Sequence, residues 1–155
     1  MKGMTIIVKT ISSWVKVLIF LFGTYVILFG HLTPGGGFAG GVILASAYVL
    51  LMLAFGREFA EKNLSLSAVS KLDCVGALFF AAIALFGLFY GGACFFWNFI
   101  QAEFLADKET ALHLVSAGTI PLSNIAIGLK VGASLFLVIL VLSSFRLDTS
   151  ANKEE

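Results

Sequence analysis

Four stretches of the chain are nearly free of charge and long enough to cross a bilayer: about Ser12 to Phe29, Phe38 to Phe55, Leu72 to Ile100 and Asn124 to Phe145. About 20 mostly apolar residues, each rising 1.5 Å, are needed to cover a hydrocarbon core of about 30 Å. The pattern predicts an all-α integral membrane protein with four transmembrane helices, a single membrane domain over residues 1–155. Trp14 stands near the start of the first helix, and the second contains no charged residue. The third stretch exceeds one crossing, so it must tilt, kink or run into the interface. Its glycines Gly87, Gly91 and Gly92 supply places for a bend. No small-x-small cleavage pattern closes the first apolar run before Gly30, so it reads as a retained helix.

Lysine and arginine set the expected orientation, because short cytoplasmic loops carry their excess. Of the ten basic residues, Lys2, Lys9, Lys16, Arg57, Lys62, Lys71, Arg146 and Lys153 fall on one side of a four-helix arrangement. The other side has Lys108, outnumbered by Glu103, Asp107 and Glu109, and Lys130 lies inside the fourth helix. Both termini are therefore expected in the cytoplasm. The segment Ala106 to Val115 reads as a short amphipathic helix on the outer surface, capped by Asp107. Gly118-Thr119-Ile120-Pro121 ends it before the last span.

Composition agrees: 59% of residues are hydrophobic and 12% charged, against roughly 45–50% and 25% in soluble domains. A net charge of +1 leaves no basic surface for nucleic acid. Cys74 and Cys94 are too far apart along one helix for a disulfide and read as buried small hydrophobes.

Candidate chemistry is sparse. Gly30-His31-Leu32-Thr33-Pro34-Gly35-Gly36-Gly37-Phe38-Ala39-Gly40-Gly41 joins the first two helices. Pro34 and the glycines cannot continue a helix and free backbone polar groups near the membrane. Such backbone is tolerated there only where protein buries it or water reaches it. The segment fits either a tight hairpin turn or a polar patch against a neighbouring subunit or hydrated cavity. Without a following lysine or a preceding strand it does not fit a phosphate cradle. His31, beside the turn, could titrate near neutral pH.

Lys130 sits about six residues, or roughly 9 Å, into the fourth helix. A lysine at a helix centre costs roughly 2.5–3.5 kcal/mol on insertion scales, so it should snorkel, pair, or face an ion path. Gly128 and Gly132 form a close-packing stripe displaced from it. Asp73 opens the third helix on the cytoplasmic side, most of a bilayer away in depth. The two are expected not to pair, Asp73 taking Lys71 and Lys130 taking Glu103 or a carboxylate of another subunit. His31, His113 and Glu103 lack the short spacing of a metal site. No nucleophile–base pair or haem or iron–sulfur pattern appears, so neither enzyme activity nor a cofactor is expected of this chain.

The run GHLTPGGGFAGGVILASAYVLLMLAFG, from Gly30 to Gly56, strongly resembles the MnhB/MrpB subunit family of multisubunit Na+/H+ antiporters. Gly118 to Gly132 resembles the start of that family's last helix. The resemblance implies a multi-pass subunit in a prokaryotic plasma membrane, packed beside large antiporter-like subunits and other small subunits in the lipid bilayer. Its motif positions are His31, Pro34, Gly35, Gly36, Gly37 and Gly41, with Gly40 and Pro121 alongside. The implied activity of the complex is electrogenic exchange of protons for sodium or another monovalent cation. This chain would support assembly and the ion pathway, with Lys130, His31, Asp73 and Glu103 as candidates for the latter. The alternative is the equivalent subunit of a membrane-bound hydrogenase or complex I-related assembly. An autonomous oligomeric channel is disfavoured because no helix carries a repeated polar stripe, while a purely structural scaffold stays open.

Overall fold

A computed structural model describes residues 4–32, 34–91, 94–100 and 117–151. Its helices are α1 (Ile6–Leu28), α2 (Gly36–Phe55), α3 (Arg57–Asn63), α4 (Leu66–Gly91) and α5 (Ile120–Ala151). Four of them, α1, α2, α4 and α5, are long and apolar enough to cross a membrane.

The helices extend past the apolar runs because polar residues can enter a terminal turn without breaking it. α1 begins at Ile6 rather than near Ser12, carrying Lys9 and Lys16 on its first turns. Lys9 lies over the Phe55 ring, 5.8 Å from its centroid. α4 begins at Leu66 rather than Leu72, capped by the Ser65 hydroxyl, which accepts from the Ala68 N–H at 3.3 Å. α5 begins at Ile120 rather than Asn124, with Pro121 inside its first turn. Proline is harmless there, since the first-turn N–H groups have no intrahelical partner anyway.

The third apolar stretch does not run straight to Ile100. α4 ends at Gly91 and the chain folds back, with Phe96 at φ 62°. Gly87 takes part as a contact within the helix rather than a bend. A Cβ there would lie 2.5 Å from the Trp97 nitrogen. Asn98 anchors the returning segment to the start of α5, donating to the Ala117 carbonyl at 3.1 Å and accepting from the Thr119 N–H at 3.0 Å.

The spans pack in the order α1, α2, α5, α4, so the middle two helices are shared, and among the described residues the outer two each keep a free flank. The start of α1 meets the end of α2 through the Met4 N–H and the Ala54 carbonyl, 3.1 Å apart. α3 turns beneath α2, its Arg57 paired with Glu61 one helical turn on. At that end Leu51, Met52, Ala60, Val69, Ala133, Phe136 and Leu140 form a buried cluster, with the Tyr48 and Phe136 rings 5.5 Å apart.

Glycine sets the spacing elsewhere. A Cβ at Gly40 would lie 2.9 Å from the Gly23 carbonyl oxygen of α1, and one at Gly41 2.8 Å from the Gly128 carbonyl oxygen of α5. Lipid tails give apolar side chains no net reason to leave them, so such contacts are held by close packing. Gly41→Leu is expected to lower the thermal midpoint of the purified protein, by about 1–3 kcal/mol of stability or more. Val42→Leu, at an exposed neighbouring position, should leave it nearly unchanged.

Candidate functional site

Two polar features lie within the helical layer. One occupies the seam between α4 and α5. Gly76 has no side chain to hold the helices apart, and a Cβ there would stand 2.8 Å from the Lys130 backbone nitrogen. The close approach lets the Lys130 ammonium donate to Asp73 Oδ1 at 2.8 Å. Ser134 Oγ, one turn along α5 from Lys130, donates to the same carboxylate oxygen.

This overturns the expectation that Asp73 and Lys130 sit at different depths and do not pair. The reason is the helix starts. With α4 beginning at Leu66 and α5 at Ile120, Asp73 lies seven residues and about 10 Å into its helix, and Lys130 ten residues and about 15 Å into its own. Both charges thus lie two to three turns inside their helices rather than at the helix ends. Asp73 is not a helix-start residue held by Lys71, and Lys130 is not left to snorkel.

The described residues do not seal the pair: the Lys130 side chain is 45% exposed and that of Asp73 27%. A single charge at the centre of a span costs roughly 2.5–3.5 kcal/mol on insertion scales. Placing the two together removes the net charge, and the Ser134 hydroxyl shares one carboxylate oxygen with the ammonium.

The other feature is the turn between α1 and α2. Gly35 and Gly36 have φ of 114° and 56°, a region that side chains disfavour. The turn packs on Asn124 of α5, whose Oδ1 accepts from the Gly37 N–H at 3.3 Å. A Cβ at Gly30 would fall 2.6 Å from the Gly36 Cα, and one at Gly37 would overlap the Asn124 backbone. Gly37, Gly40 and Gly41 are buried, His31 is half-buried and Pro34 is exposed. Gly128 and Gly132 of α5 face α2 and the end of α1, Gly128 against Ile27 and Gly132 against Gly41.

The structure therefore brings Asp73 and Lys130 together and keeps His31 and the glycine turn apart from them as a second locus. Glu103, His113 and the segment 106–115 lie outside the described residues. Cys74 and Cys94 are exposed free thiols rather than buried ones. Ser134, Asn124 and Gly76 escaped the reading of the sequence. Ser134 could have been found, since it follows Lys130 by four residues and shares its helix face. Asn124 and Gly76 carry no such signal, because their roles depend on which helix lies opposite.

An apolar cavity of about 220 Å3 lies between α2 and α4, lined from α5 by Leu129, Gly132, Ala133 and Phe136. Those residues occupy a different face of α5 from Lys130 and Ser134.

Removing one member of the pair leaves the other as an uncompensated charge. Lys130→Met or Asp73→Leu alone is expected to destabilise the protein by about 3–5 kcal/mol, while the double substitution should recover most of that loss. A double-mutant cycle on thermal stability in lipid nanodiscs measures the coupling.

Residues 7–137 match the family described as a domain related to the MnhB subunit of Na+/H+ antiporter. A protein of Staphylococcus haemolyticus provisionally named antiporter subunit mnhB2 is 32% identical over 148 residues, 92% of this chain and 97% of its own length. Its namesake from Staphylococcus aureus strain Newman is 32% identical over 153 residues, 99% of each chain. An uncharacterized protein of Methanocaldococcus jannaschii is 37% identical over 143 residues, 90% of this chain, which spans about half the length of that relative. With the family match covering most of its length and two antiporter-subunit relatives aligned along nearly all of it, the chain belongs to the MnhB family.

Proposed function

We infer that this protein is a multi-pass membrane subunit of a multisubunit Mrp-type antiporter exchanging protons for sodium or another monovalent cation. The observation that carries this is the similarity to the mnhB2 subunits along essentially the whole of both chains. The same comparison favours an antiporter over a membrane-bound hydrogenase or complex I-related assembly. As a family of transporter components, it points away from catalysis by the chain itself.

Within that complex we assign the chain an assembly role and place Asp73, Lys130 and Ser134 beside the ion pathway. Support for the latter is energetic: an ionisable pair inside two spans is costly to maintain, and such residues characteristically mark ion or proton routes. Three side chains with one carboxylate do not provide the several oxygen ligands of a sodium site, so the pair acts on a pathway completed by other subunits. The glycine turn with His31 serves to close α1 and α2 onto α5. Both termini face the cytoplasm, as the distribution of eight of the ten basic residues indicates.

Everted vesicles containing the whole complex test the assignment. Omitting this chain is expected to abolish cation-dependent proton exchange. Lys130→Ala, in a complex verified to be assembled, should slow exchange about tenfold or more, the effect of ~1.4 kcal/mol on a rate-limiting barrier. Unchanged exchange by that variant would leave the chain a structural subunit only. A C-terminal fluorescent-protein fusion should fluoresce and a C-terminal alkaline phosphatase fusion stay inactive; the reverse would invert the topology.

A further inference from the structure

Among the described residues the Asp73–Lys130 pair is incomplete. An ammonium has three N–H donors and a carboxylate two acceptor oxygens. Among the described residues, Lys130 uses one donor, on Asp73 Oδ1, and the Ser134 hydroxyl uses that same oxygen. Two Lys130 donors and Asp73 Oδ2 have no partner among the described residues. Lipid tails cannot satisfy them.

The flank on which they open is shaped for close approach. Asp73, Ala77 and Ala81 follow one another at four-residue intervals on α4, with Ala77 half-buried and Ala81 exposed. On α5, Lys130 and Ser134 are followed at the same interval by Val138, 51% exposed. From Asp73 to Ala81 and from Lys130 to Val138 these rows hold no long side chain apart from Lys130 itself, and the exposed leucines Leu85 and Leu142 stand at their far ends. The cationic partner is the more exposed of the two, 45% against 27%, so the open face presents positive charge.

We propose that this flank of α4 and α5 is a docking surface for a transmembrane helix of another subunit, which presents a carboxylate to the Lys130 ammonium. The proposal rests on reading the chain as part of a multisubunit complex. A carboxylate matches the two free donors, and the short rows admit a helix backbone close enough to deliver it. A second copy of this chain fits less well, because a two-fold axis along the membrane normal would set the two exposed ammonium groups at one depth, facing each other.

The test uses the assembled complex in native membranes. A photoreactive amino acid at Ala81 is expected to yield an adduct with a different membrane subunit, in a transmembrane peptide that contains Asp or Glu. Adducts only with lipid, or only with a second copy of this chain, overturn the proposal. So does labelling of Ala81→Cys, in a Cys74→Ser/Cys94→Ser background, by a charged water-soluble thiol reagent, which would mark a hydrated cavity. Lys130→Met combined with Asp73→Leu removes both charges of the pair together and should reduce co-purification of the cross-linked subunit about tenfold while the chain remains in the membrane. Undiminished co-purification overturns the charged contact. A wild-type chain that co-purifies with no other membrane subunit would overturn the subunit reading and this proposal together, whereas lipid adducts from an intact complex overturn the docking face alone.

Discussion

The architecture depends on how closely the backbones of α2 and α5 approach. In water an apolar face drives helices together by leaving solvent; in a bilayer the lipid offers apolar surface just as good. What remains is contact, and contact is greatest where side chains are smallest. Gly37 and Gly41 on α2 oppose Asn124, Gly128 and Gly132 on α5, and at Gly37 and Gly41 an added methyl group would collide with backbone atoms of the facing helix. Gly40, on the adjoining face of α2, receives Ile27 of α1. One glycine-rich stretch therefore seats α2 against both neighbours, and the layer of four spans is built outward from it.

The same device recurs once on α4, at Gly76, and there its consequence is electrostatic. Only a close seam lets a carboxylate on α4 reach an ammonium on α5 well inside both helices. Each charge alone would be costly in the hydrocarbon; together, with the Ser134 hydroxyl, they form a neutral set with one shared oxygen. Breaking such a pair by removing one partner is worse than never having it. The packing and the polar site are thus one arrangement, because a bulky residue at 76 would separate the charges as well as the helices.

The existence and number of the spans were legible from hydropathy, since 20 apolar residues without charge have few other uses. The boundaries were less so. Ser65, Lys9 and Pro121 look like stop signals in a hydropathy profile, but each is compatible with a first helical turn: a serine caps, a lysine reaches the interface, and a proline gives up only an N–H that has no partner. Misplacing α4 and α5 by six and four residues moved Asp73 and Lys130 apart by about 15 Å, half the hydrocarbon core, and a correct estimate of what each charge costs then led to the wrong partners. The glycine motif was visible as a pattern, yet its contact with Asn124 was not, because tertiary adjacency of α2 and α5 leaves no periodic mark in either helix.

α5 carries three distinct faces, and this explains why small, bulky and charged residues are interleaved along it. Asn124, Gly128 and Gly132 meet α2; Ala126, Ala133 and Leu140 are buried within the layer; Lys130 and Ser134 turn toward α4 and its open flank. A helix lying in lipid on one side needs small residues on a single face, but one shared by two neighbours and bearing a polar pair must place small, bulky and charged residues within two turns. That requirement forces Lys130 between Gly128 and Gly132. The ammonium cannot move toward either membrane surface without shifting the glycine register against α2, so its depth is fixed by packing it does not itself make.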